Sequence, residues 1–164
     1  MKVISGLFET YQEANSAIAA LSIKGYSGQD ISVVGQEEVL KHEPHSETAE
    51  TAGKGAAIGG IIGLIAGVAP IAIPGVGAII GAGTLIGGTL GGAGVGAAAG
   101  GLVGLLKKWF GSEDHATKVE HAIREGKILI AVKTGQRNGE TVAQIMRDHG
   151  ASEVHEHAAA AAHA

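Results

Sequence analysis

The chain has 164 residues and 45% hydrophobic content, with 28 glycines but only 3 prolines and 5 aromatic residues, a glycine share well above the roughly 7% of ordinary proteins. The apolar fraction excludes a wholly disordered chain, the lack of a G-X-Y period excludes collagen, and the absence of cysteine excludes disulfide scaffolds, thiol catalysis and cysteine-based zinc sites. A net charge of −4 argues against a nucleic-acid partner.

The opening MKVISGLFETYQEA does not read as a secretory leader, because its apolar run is short and soon meets Glu9. Val3, Ile4, Leu7 and Phe8 predict a first strand. Ala14, Ala17, Ile18 and Leu21 follow with the spacing of one helical face, and Gly25 is placed to stop that helix. Ile31 to Val34, bounded by Gly35, predicts a second strand. Residues 1–35 thus form a βαβ half, and 36–51 read as a polar connector. Beyond it lie residues 52–110, whose composition is of another kind.

Between Lys54 and Lys107 there are 52 consecutive residues without a charge, whose only polar side chains are Thr84 and Thr89, and 18 of the 28 glycines fall there. Gly55, Gly59, Gly63 and Gly67 form one stripe of period four, and Gly88, Gly92, Gly96, Gly100 and Gly104 form another. Such spacing lines one face of a helix and lets two backbones approach closely. Pro70 and Pro74, followed by Gly75 and Gly77, break helix between the stripes. The prediction is a helical hairpin with arms near 52–69 and 78–109.

Each interior helical glycine costs about 1 kcal/mol relative to alanine in water. If all those in the block were helical, the penalty would be ~15–18 kcal/mol, as large as the ~5–15 kcal/mol stability of a whole domain. The block therefore requires a non-aqueous setting. Lipid is one, and Lys54 at one end with Lys107, Lys108 and Trp109 at the other are the expected interfacial anchors. The flanks then face the cytoplasm, and both ends of the block emerge on the same side. The alternative is a soluble cytoplasmic particle in which hairpins from several copies pack together, as a scaffold or as a carrier enclosing a lipid or quinone-like molecule. Either way the expected partners are other copies of the chain, with membrane lipid or an apolar small molecule.

The C-terminal flank, 111–157, repeats the grammar of the first. Ala116, Val119, Ala122 and Ile123 predict a helix ended by Gly126. Ile128 to Val132 predict a strand. After a turn at 135–139, Val142, Ile145 and Met146 mark another helix, ended by Gly150, and 152–155 form a last edge strand. Residues 158–164 read as a disordered tail. Joined across the block, the two flanks make a ferredoxin-like α/β sandwich, βαβ plus αβαβ, assembled from both chain ends around the inserted hairpin.

The chemistry-bearing candidates are few. His155 and His157, at period two with Glu153 and Glu156, are the candidate metal ligands, set against a solvated polar tail near a frayed end. Gly53-Lys54-Gly55 lacks the spacing of a phosphate loop, and no nucleophile–base pair stands out. No cofactor and no catalytic residue is expected.

The run Phe8-Glu9-Thr10, Ala14, Ala17-Ile18, Leu21, Gly25-Tyr26 and Asp30 to Val34 resembles the general stress protein 17M-like domain of bacteria. Ala72-Ile73-Pro74-Gly75-Val76-Gly77 resembles the glycine-zipper centre of related low-temperature-induced proteins. Ala122 to Val132 and His149-Gly150-Ala151 fit the same pattern, so the resemblance spans about residues 3–155. The connector and the alanine-rich tail depart from it. The resemblance implies a bacterial, stress-associated, membrane-linked protein and brings no catalytic residues.

Overall fold

The computed structural model describes residues 2–41, 61, 65, 71–73, 77–82, 103, 104, 106, 107, 110–135 and 137–158. In chain order they form β1 (Lys2–Phe8), α1 (Tyr11–Ile23), β2 (Ile31–Gln36), α2 (Glu37–Leu40), β3 (Ile71–Ile73), β4 (Gly77–Ala82), α3 (Glu113–Arg124), β5 (Ile128–Gly135), α4 (Gly139–Asp148) and β6 (Ser152–Ala158). The strands make one six-stranded sheet in the order β3-β4-β2-β5-β1-β6, and every adjacent pair is antiparallel.

The four strands of the flanks lie in the order β2-β5-β1-β6. The N-terminal and C-terminal βαβ halves therefore interleave, with β5 between β1 and β2, which is the ferredoxin-like arrangement expected from the two flanks. Neither half makes a sheet without the other, since the β1–β5 and β2–β5 pairings both join opposite chain ends.

The central strands read as near-continuous apolar runs because both faces of the sheet are covered. One face, with Ile4, Phe8, Ile130 and Val132, packs against Ala17, Ile18 and Leu21 of α1 and Val142 and Met146 of α4. The other, with Leu7, Val34 and Leu129, packs against Ala116, Val119 and Ile123 of α3. Local signals set the helix bounds. Thr10, Ser112 and Asn138 each cap a helix start with a side-chain oxygen that accepts from a first-turn amide. The helices stop on Gly25, Gly126 and Gly150, which take the left-handed conformation. Paired bonds such as Tyr26 N to Leu21 O and Gly25 N to Ser22 O close the last turns.

Three expectations are corrected. First, the second helical arm does not begin at residue 78. Residues 71–73 and 77–82 form a β-hairpin, and β4 pairs with β2 from Val33↔Ala82 to Gln36↔Ile79. Ile80 enters the α1/α4 core and Ile79 the α3 core, so the pair is buried on both faces of the sheet while its backbone satisfies the edge of β2. Second, the two arms do not meet where they are described. Ile61 and Ile65, in helical backbone, are buried on the α1/α4 face, whereas Val103 and Leu106 lie on the α3 face. The sheet stands between them.

Third, ordered elements reach past the expected bounds of both flanks. Gln36 ends β2, and one turn of helix follows, whose Leu40 is fully buried. A side chain on Gly35 would meet Leu40 Cγ at 3.1 Å, so the missing β-carbon is what admits the leucine. At the far end β6 continues through Ala158, pairing with β1 as far as Lys2. His155 and His157 therefore belong to a paired strand and not to a frayed end.

Candidate functional site

The place where the apolar block rejoins the folded domain is also where unusual side chains gather. Val103, Gly104, Leu106, Lys107 and Phe110 have helical backbone, and the chain then turns at Gly111 into α3. Leu106 is fully buried among Leu7, Val34 and the α3 apolar face. Lys107 donates to Glu113 Oε2 at 2.7 Å, and that hydrogen bond, with the lysine charge, lowers the Glu113 pKa. Lys107, expected as an interfacial anchor, thus has a partner within the chain.

Ser112 accepts from the His115 amide at 3.4 Å, which fixes His115 in the first turn of α3. Alternation along β6 carries His155 and His157 to the same side of the sheet, while Val154 packs against the opposite core. The three imidazoles meet there. Ring centroids lie 4.6 Å apart for His115 and His155, 5.4 Å for His115 and His157, and 6.1 Å for His155 and His157. Phe110 closes the group, 4.7 Å from His115 in an edge-to-face contact and 4.6 Å from His157.

Burial and crowding make two of these rings, His115 and His157, poor bases. The His115 pKa is lowered, mainly by burial and then by the His155 charge. Burial, followed by His115 and His155, pushes His157 down to about 4. Near neutral pH both rings are uncharged. Among the described residues, His115 Nε2 is buried with no hydrogen-bond partner.

The chemistry open to this group is narrow. Among the described residues, no set of three or more His, Asp or Glu side chains is arranged to hold a metal ion. Ser5 Oγ and His157 Nε2 share a 3.0 Å hydrogen bond, the contact of a nucleophile–base pair, but Ser5 is 2% exposed and His157 is too weak a base to activate it near neutrality. The bond therefore tethers β6 to β1.

Of the helix-packing glycines expected from sequence, only Gly104 is described. It is half-buried, and among the described residues nothing lies within 4 Å of where its β-carbon would stand. Gly55, Gly59, Gly63, Gly67, Gly88, Gly92, Gly96 and Gly100 lie outside the described residues, as do Lys54, Lys108 and Trp109. His155 and His157 are brought together as their period-two spacing required. His115 was missed, since its partners lie some 40 residues away in the chain. The Ser112 cap followed by a histidine in the first helical turn was its one local signal.

Residues 3–71 match the family model described as the heat induced stress protein YflT domain. The match covers β1, α1, β2, α2 and the start of the block up to the first residue of β3, and it is consistent with a general stress protein family. No curated protein and no solved structure matches the chain.

Proposed function

We propose that this is a non-enzymatic, stress-associated protein whose folded domain presents a glycine-rich apolar segment to membrane lipid and to other copies of the chain. The observation that carries the reading is the stretch between Ala82 and Val103. It is 20 residues long, has no charge and contains nine glycines, and its two ends leave and re-enter the same folded domain at β4 and beside α3. The family match to residues 3–71 supports the stress association.

Anchored ends limit how that segment can meet a bilayer. As two helical arms of about ten residues it reaches about 15 Å, half of a ~30 Å hydrocarbon core. The reading is therefore insertion into one leaflet from the cytoplasmic side, with glycine faces left for contact between copies. Among the described residues, no helix is long and apolar enough to cross a membrane. The nine glycines of that uncharged stretch, which allow close backbone approach, also suit a second reading, a homo-oligomeric particle that packs the same segments together around a lipid or quinone-like molecule.

Vesicle flotation and size-exclusion chromatography with light scattering test both. The full chain is expected to float with anionic phospholipid vesicles and to run as an oligomer without them, while a variant with residues 83–102 replaced by a short Gly/Ser linker does neither and keeps its circular dichroism. Oligomers that ignore vesicles and yield an extractable lipid would favour the second reading. A monomeric full chain that does not float overturns both.

A further inference from the structure

We propose that His115, His155 and His157 form an acid-released clasp that holds the return end of the apolar segment and the edge strand β6 against the sheet. Three observations support it. Phe110, the last residue before the turn into α3, sits on His115 and His157. On this face β6 contributes no buried aliphatic side chain, because no residue of the strand is fully buried and Val154, half-buried, packs against the other core. Among the described residues the edge strand pairs with β1 alone, so the contacts of His155 and His157 with His115 join it to α3 and the Ser5–His157 bond adds a side-chain tie to β1.

The surrounding charges do not neutralise a protonated cluster. On β1, Lys2 is engaged by Glu156, 2.7 Å away, and Ser5 is neutral. Before α3, Lys107 is paired with Glu113. On α3, Lys118 opposes a charge on His115, while Glu153 of β6 favours one. Among the described residues a single carboxylate, Glu153, favours charge on His115, whereas the imidazoles repel one another when charged. The pKa values of His115 and His157 are lowered in the closed form, so the open form takes up more protons. Closure is therefore complete above about pH 6.5 and weakens as pH falls toward 4. The clasp does not depend on membrane association, because it is a property of the folded domain.

Hydrogen exchange between pH 7 and 4.5, corrected for intrinsic rates, reads the opening in the detergent-free full chain. Amides of 113–116 and 153–157 are expected to open between about tenfold and a hundredfold more at pH 4.5, as uptake of roughly one proton over two pH units requires, while those of β5 stay protected. In H115Q/H155Q/H157Q the pH dependence should vanish. Where that variant is too unstable, H155Q, altering the exposed member, should raise the His157 titration midpoint seen by NMR, since the His155 charge is one cause of its depression. Opening that persists in the triple variant, β5 exchanging together with β6, or an unmoved His157 midpoint in H155Q would each overturn the clasp.

Discussion

Replacing Ile80 by alanine separates a sheet strand from a remote turn. Ile80 stands opposite Gly35 in the β2–β4 ladder, is fully buried, and packs in the core that holds Leu40 and Ile61. Truncation removes every side-chain carbon beyond the first. At ~0.8 kcal/mol per carbon the transfer loss is about 2.4 kcal/mol, and the residual cavity raises the total to about 3–4 kcal/mol, within the range for buried Ile→Ala. With a urea slope of about 2 kcal/mol/M, the midpoint should fall by ~1.5–2 M. Urea titration followed by far-ultraviolet circular dichroism measures this. Ile23, 84% exposed on α1, is the control, and Ile23→Ala should change stability by no more than ~0.5 kcal/mol. A midpoint for Ile80→Ala within ~0.2 M of wild type, matching the control, would refute the reasoning.

Further consequences follow from local geometry. Gly150→Ala places a β-carbon at φ +95°, 3.0 Å from the Glu13 carboxyl, and should lower stability by about 1–2 kcal/mol, seen as a fall in melting temperature. Ser112→Ala removes the cap from α3 and should cost about 1 kcal/mol, with the chemical shifts of His115 moving further than those of His121. Arg137→Ala loses a donor to Gly25 O at 3.1 Å and a guanidinium 5.0 Å from the Tyr26 ring centroid. The expected loss is about 0.5–1 kcal/mol at this exposed site, accompanied by a change in tyrosine fluorescence.

The flanks were legible because their helices carry a helical period and end on glycine, while their strands are short apolar runs between turns. Ala14, Ala17, Ile18 and Leu21 all bury as one face, and Gly25, Gly126 and Gly150 all take the left-handed turn expected of them. The order of the elements then gave the interleaved sheet. The β3–β4 hairpin was not legible for a physical reason. Ile79 and Ile80 are buried on opposite faces, so the strand has no polar alternation, and within an unbroken apolar run it cannot be told from helix.

The histidine cluster was half legible. Period two put His155 and His157 on one face, but the partial burial of His157 came from what covers it. Phe110 and His115 reach the edge strand only after the two chain ends have folded together. Leu40 shows the same limit, since a polar neighbourhood in sequence hides a residue that fills the space left by Gly35.

Amide-resolved hydrogen exchange of the full-length protein in detergent-free buffer at neutral pH probes the stitching of the apolar block into the sheet without altering a residue. Ile80 and Ala82 amides are expected to be protected to within about tenfold of those of Leu129–Val132 in β5, because one cooperative sheet opens as a unit. Exchange of both at the rate of an unstructured peptide, with β5 still protected, would contradict the account.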